Sequence, residues 1–247
     1  MAGREGHDGT ATGHRPLSPS LLEAQLLDRF TAHRVFQDLD SLPGVSFLEL
    51  LLQRRFLSLA FPVIYDIAID GLTDPAAVTL VREILREEYP DPSGRTPSHR
   101  EDLVGDLLTL GATRAEIHGS RPNPATTTVI EGALRLITGA AARASDLELL
   151  TILRFWGEVL VSVEYGEYWR RMASAFAAAS IPSRFYAPHH HHDGSDPLTS
   201  DADGSTTHSG RLGACLLRLL VDEPAADRFA EAEHRTLALR LDFYDQF

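Results

Sequence analysis

Apolar residues along this chain of 247 residues recur at intervals of three and four rather than two, as in Leu103, Leu107 and Leu110 or Leu216, Leu217 and Leu220. That period predicts helices throughout and leaves no convincing strand. Helix starts are legible, because a Ser or Thr followed three residues later by Glu satisfies two orphan backbone donors. Such boxes stand at Ser20/Glu23, Ser46/Glu49, Ser98/Glu101, Thr113/Glu116 and Ser145/Glu148, while Asp74-Pro75 and Asp222-Glu223-Pro224 add two starts with Pro in the first turn. The predicted helices run over 19–38, 46–70, 75–89, 97–110, 113–119, 124–142, 145–180, 208–221 and 224–243, with Pro62 expected to kink the second.

Connections this short separate no domains, and no internal repeat is visible, so residues 18–247 read as one all-α domain. Residues 1–17 have no hydrophobic period and are expected to be a disordered leader. From His189 to Thr207 the chain is mostly His, Asp, Gly, Ser and Thr with one Leu. That is too polar for a core element, and a mobile loop is expected over about 190–207.

Composition removes whole classes of function. The net charge is −12 with no basic block, which disfavours nucleic acid as a partner. No run of about 20 apolar residues suggests a membrane span, and a cytoplasmic protein is expected. All 23 basic residues are Arg, so neither a Schiff-base lysine nor a P-loop lysine exists. The single Cys, Cys215, lies in an apolar helical stretch and reads as a packed thiol rather than a nucleophile.

Candidate chemistry starts at Glu158, set in the run Ile152-Leu153-Arg154-Phe155-Trp156-Gly157-Glu158-Val159-Leu160-Val161-Ser162-Val163. A helix apolar all round is buried, so this carboxylate must be neutral, hydrogen-bonded, paired or metal-bound. Arg154, one turn back, is the obvious counter-ion if it is merely paired. Glu164 and Glu167 are rival carboxylates, although Glu167 with Arg170 or Arg171 reads more simply as a surface pair. Glu88 shares a helical stripe with Val81 and Leu85, and His99 shares one with Leu103, Leu107 and Leu110; Glu87 follows Glu83 and reads as solvated. His189 to His192 cannot all face one centre, but His189 and Asp193 share a face if the segment is helical. His208 opens the next apolar helix as His99 opens its own. Imidazole with carboxylate and without thiolate suits iron or manganese, and two metals need about six such ligands.

At these residues the chain resembles the haem-oxygenase-like dimetal oxidases, often labelled iron-containing redox enzymes. The matching pieces are Arg86-Glu87-Glu88-Tyr89, then His99 and Leu108-Thr109-Leu110-Gly111, then a Glu in a long apolar helix, then Phe185-Tyr186 leading to a His-x-x-x-Asp. The likeness covers roughly residues 46–220. The family pattern ends in His-x-x-x-Asp-x-x-His, and by position the ligands fall on Glu88, His99, Glu158, His189 and Asp193. Three residues after Asp193 stands Asp196 rather than His, so either Asp196 substitutes or His208 completes the set; His208 is preferred because it resumes the apolar helix.

The resemblance implies a seven-helix bundle of the haem-oxygenase-like fold. It also implies two Fe(II) ions, O2 as co-substrate and oxidation of a small organic substrate, often in bacterial natural-product pathways. An amino acid is favoured, since guanidinium grips carboxylate in a fork, with Arg154 and Arg170 as candidate grips. A fatty acid is the alternative within the fold, and the sequence leaves a homodimer open. Three rivals stand beside this reading: a haem oxygenase with His33 as proximal ligand, a metal-free helical binding protein, and a thiaminase-like hydrolase, for which Cys215 is poorly placed. Glu158→Ala is expected to abolish iron-dependent turnover while circular dichroism keeps the helical signal. Replacing His191 and His192 should matter much less than replacing His189, and equal losses would mean a different ligand register.

Overall fold

The computed structural model describes residues 18–192, 198 and 207–247, and every regular element among them is helical. Helices α1 (Pro19–Thr31) and α2 (Arg34–Gln37) and a 3₁₀ turn at Leu39–Ser41 lead into α3 (Gly44–Gly71). Then come α4 (Pro75–Glu87), α5 (His99–Thr109), α6 (Arg114–Gly119), α7 (Pro124–Ala142) and α8 (Asp146–Ile152). A π-helical segment, Leu153–Val159, passes without a break into α9 (Leu160–Ala179), and α10 (Tyr186–His192), α11 (His208–Leu219) and α12 (Glu223–Tyr244) follow.

The capping chemistry decides most of these boundaries. Ser98/Glu101 and Thr113/Glu116 close as full reciprocal boxes, and Asp74 and Asp222 cap α4 and α12 ahead of a first-turn Pro. Ser145 accepts from the Glu148 amide, but the Glu148 carboxylate turns to Arg143 instead of reaching back. Two expected boxes fail. Ser18, not Ser20, caps α1, and Glu23 is drawn into the core by Arg154. α3 starts at Gly44, where the Pro43 carbonyl accepts from Phe47, so Ser46 lies inside the helix.

Three longer expectations also change. The predicted 19–38 helix breaks because His33 adopts an extended backbone and caps α2, its Nδ1 accepting from Val35 N at 3.3 Å. The 145–180 helix contains the π segment, in which the Leu160 amide reaches the Phe155 carbonyl five residues back. Residues 186–192 form α10 where a loop was expected to begin, and Leu198, the one Leu of the polar stretch, is buried against Gly213 of α11. The leader at 1–17, Asp193 and Asp196 lie outside the described residues.

α3 is the spine of the fold, lying along α7 and touching α4, α5, α8 and the π segment. α12 lies across α1, α7, α8 and the π segment; α10 packs along α9, and α11 sits on α8, α4 and the π segment. Their inward faces, including Phe30, Leu50, Tyr65, Ile137, Phe155 and Leu237, form one core. Among the described residues no helix is long and apolar enough to cross a membrane. Cys215 is buried in α11, as a packed thiol should be.

This core contains charges, most of them paired. Arg154 binds Glu23 through both terminal nitrogens and donates Nε to the Ser209 carbonyl at 2.9 Å, tying α1 and α11 to the π segment. Removing one member of such a buried pair costs about 3–5 kcal/mol, because the other is left uncompensated. Glu233 of α12 is fully buried near this pair; burial and the Glu23 carboxylate push its pKa well up, against the opposing pull of Arg154.

The pH dependence follows from that shift. Above the unfolded value of about 4.3 the native state keeps a proton that the unfolded chain has lost, so stability falls as pH rises toward the raised native value. Glu233→Gln, which cannot titrate, is expected to flatten that decline in denaturant unfolding measured between pH 5 and 8, by up to about 1.4 kcal/mol per pH unit. Identical slopes in the two proteins would show that Glu233 does not carry it.

Candidate metal centre

Local signals bring five side chains to one place. Pro90 follows the end of α4, where Glu88 is the capping residue, and Ser98 starts α5 at His99; the intervening turn returns the chain so that Glu88 Oε1 lies 2.8 Å from His99 Nδ1. Thr207 caps α11 in the same way and makes His208 its first residue. Glu158 comes from the π segment and His189 from α10. Glu88, His99, Glu158, His189 and His208 all line a single cavity of about 530 Å³, counting the part open to solvent. The sequence-predicted ligands that fall among the described residues are therefore together.

They stand in two groups. Ligand atoms of Glu88, His99 and His189 lie within 4.8 Å of one another, and the rings of His99 and His189 are 4.5 Å apart. Donors around an ion at about 2.1 Å are at most about 4.2 Å apart, so modest side-chain movement would close this group on a cation. Burial lowers the His99 pKa, but the hydrogen bond to and charge of Glu88 outweigh it and the net shift is upward. A cation would replace the proton that joins them. In the second group, Glu158 Oε2 faces His208 Nδ1 at 3.4 Å, and Tyr65 donates a short hydrogen bond to Glu158 Oε1.

His189 is prepared as a neutral donor. Burial, reinforced by the neighbouring His99, pushes its pKa down to about 3 although the Phe185 carbonyl opposes the shift. Nδ1–H donates to that carbonyl at 2.7 Å, which leaves the Nε2 lone pair available. His190 points elsewhere: its ring lies against Gly166 of α9, where a Cβ would come within 2.8 Å of it. Of these two neighbouring imidazoles, His189 is the one that lines the cavity. Two carboxylates and three imidazoles without a thiolate are a donor set that fits iron or manganese.

Several residues essential to this geometry escaped the sequence reading. Asp106 of α5 is buried and accepts from Ser183 Oγ at 2.6 Å and from the amides of Arg184, Phe185 and Tyr186 at 3.1 Å each. It caps α10 from another helix and so sets the height of His189. Its place three residues after Leu103, on the stripe continued by Leu107, was the available signal. Glu87, expected to be solvated, is half exposed yet reaches His208 Nε2 at 3.3 Å. Gly157 allows the close approach of Tyr65, since a Cβ there would stand 2.9 Å from its hydroxyl and 3.0 Å from Phe61.

The proposed substrate grips sit elsewhere. Arg154 does not line the cavity and is bound to Glu23, and Arg170 is more than half exposed and pairs with Glu167. The arginines on the cavity wall are Arg54 and Arg240, and both hold Glu164. Glu164, the rival carboxylate, is thus fully engaged away from the two ligand groups. His33 is also committed, with Nε2 3.2 Å from Asp245 Oδ1, and it does not line the cavity.

The chain matches no protein-family model, and no curated protein matches it. Asp106→Ala is expected to remove the cap of α10 at a cost of about 2 kcal/mol, seen as roughly thirtyfold faster amide exchange over residues 187–190. Ferrous affinity should fall about tenfold or more with it. Unchanged exchange in that segment would show that α10 holds His189 without Asp106.

Proposed function

We propose that this chain is a non-haem diiron oxidase of the haem-oxygenase-like fold, using O2 to oxidise a small carboxylate substrate, with an amino acid favoured. The observation that carries this reading is the convergence of Glu88, His99, Glu158, His189 and His208 on one cavity from five separate elements. Carboxylates and imidazoles are rarely brought together inside an apolar core unless a cation offsets their desolvation. Two ferrous ions held by these donors would supply the redox chemistry with O2. Asp193 is the further ligand of this reading.

The protein's own contribution is positioning and exclusion of water. The Phe185 carbonyl orients His189, the Tyr65 hydroxyl orients Glu158, and Glu87 faces the outer nitrogen of His208. Leu57, Phe61, Ile84, Trp156 and Val161 supply an apolar wall that keeps solvent from the reacting bond. The same wall favours a second reading within the class, in which the substrate is a fatty acid whose chain lies along these residues.

Anaerobic loading with ferrous iron followed by rapid mixing with O2, across a panel of amino acids and fatty acids, tests this directly. The expected result is a transient visible absorption band whose growth depends on one class of acid, together with consumption of that acid. A chain that takes up no iron under these conditions, or whose bound iron reacts with O2 at the same rate with every acid and transforms none, would overturn the proposal.

A further inference from the structure

Glu164 of α9 is fully buried and ionised, and it is held by more positive charge than it can balance. It accepts from Arg54 Nε at 2.6 Å, from Arg240 Nη1 at 2.8 and 2.9 Å, and from the Tyr244 hydroxyl at 2.5 Å. Burial alone would raise its pKa, but Arg240 and Arg54 reverse that and hold it below the usual range. The surrounding phenols of Tyr165, Tyr168, Tyr186 and Tyr244 are pushed upward by burial and stay neutral. Two guanidiniums therefore face one carboxylate in this cluster, and Glu164 alone does not match both.

The two arginines are not equivalent. Arg240 lies 4.1 Å over the Trp156 ring and donates Nη2 to the Trp156 carbonyl at 2.7 Å, so its terminal nitrogens are in use. Arg54 donates Nη1 to Ser58 Oγ at 3.0 Å, and its Nη2 has no hydrogen-bond partner among the described residues. The other carboxylates of the cavity, Glu88 and Glu158, are engaged by His99 and by Tyr65 and His208. A neighbouring cavity shares Ser58, Glu88, His99 and Phe185 with the first, so the hydroxyl to which Arg54 donates borders both.

We propose that Arg54 is the specificity-determining residue of this cavity, its unused guanidinium edge receiving the carboxylate of the substrate while Glu164 and Arg240 hold it in place. This rests on the oxidase reading for its function, but the receptor itself needs no iron. The incoming carboxylate makes a charge-assisted hydrogen bond to the guanidinium edge, which a neutral analogue of the same shape cannot match. Binding is thus selective for organic acids over their amides, and the acid is anchored at the wall with the rest of the molecule left to lie beside the ligand groups.

Isothermal titration and thermal shift on the full chain test this, with a panel of straight-chain carboxylates and L-amino acids set against the corresponding amides. Each pair is measured under argon, with and without ferrous iron. At least one acid is expected to bind tenfold or more tightly than its amide in the metal-free protein, and Arg54→Gln to abolish that preference. Arg54→Lys should retain part of it, having the charge without the fork. Arg54→Gln removes one of three partners of a buried carboxylate that keeps Arg240 and Tyr244, so it should lower the unfolding temperature by several degrees yet still unfold cooperatively with the parent's helical signal. Equal binding of acids and amides by the parent, no binding of any acid, an acid preference that survives Arg54→Gln, or a collapse of thermal stability in that variant would each overturn the assignment. A protein that discriminates acids in this way yet takes up no iron would sustain the receptor and sink the oxidase.

Discussion

Glu164 is the interaction around which the interior is arranged. A carboxylate fully removed from water is tolerated only when hydrogen bonds and opposite charge offset its desolvation, and here those come from α3 through Arg54 and from α12 through Arg240 and Tyr244. Arg240 continues to the Trp156 carbonyl, so the same network grips the π segment two residues from Glu158. Glu164 is the member common to all of these contacts, whereas Arg54 ties in α3 alone. The cation that stabilises the fold and the cation offered to the cavity belong to one cluster.

A second constraint acts on the other side of the cavity. α10 is only Tyr186–His192, too short to be stable by propensity, and it exists because Asp106 supplies its N-terminal partners and Gly166 lets it settle on α9. Its register follows from that seat. His189 faces the cavity and His190 faces α9, so the seat of the helix separates these two neighbouring imidazoles. In the proposed enzyme metal affinity is therefore linked to the stability of a seven-residue helix, as binding and folding are in other metal sites.

Much of this could be read from the chain alone wherever the cause was local. Ser98 ahead of His99 and Thr207 ahead of His208 announce two helix starts that each present an imidazole, and Pro90 after Glu88 announces the turn that pairs it with His99. The apolar surroundings of Glu158 made its burial legible. The π register at Leu153–Val159 was not, because a stretch apolar on all sides has no stripe to reveal a change of period. Glu23 illustrates the opposite error, a residue in perfect capping position that a distant guanidinium claims instead. Arg54, Asp106 and Arg240 act across long sequence separations, and no spacing rule reaches that far.

In the proposed enzyme, carboxylates and imidazoles from separate helices cage two ions in this cavity. Diffraction from crystals loaded anaerobically with ferrous iron, recorded on both sides of the iron absorption edge, tests it most directly. Two anomalous peaks are expected, one among Glu88, His99 and His189 and the other beside Glu158 and His208. Iron-loaded crystals with no peak in the cavity, and Glu88 and Glu158 still bound only to His99, His208 and Tyr65, would contradict it.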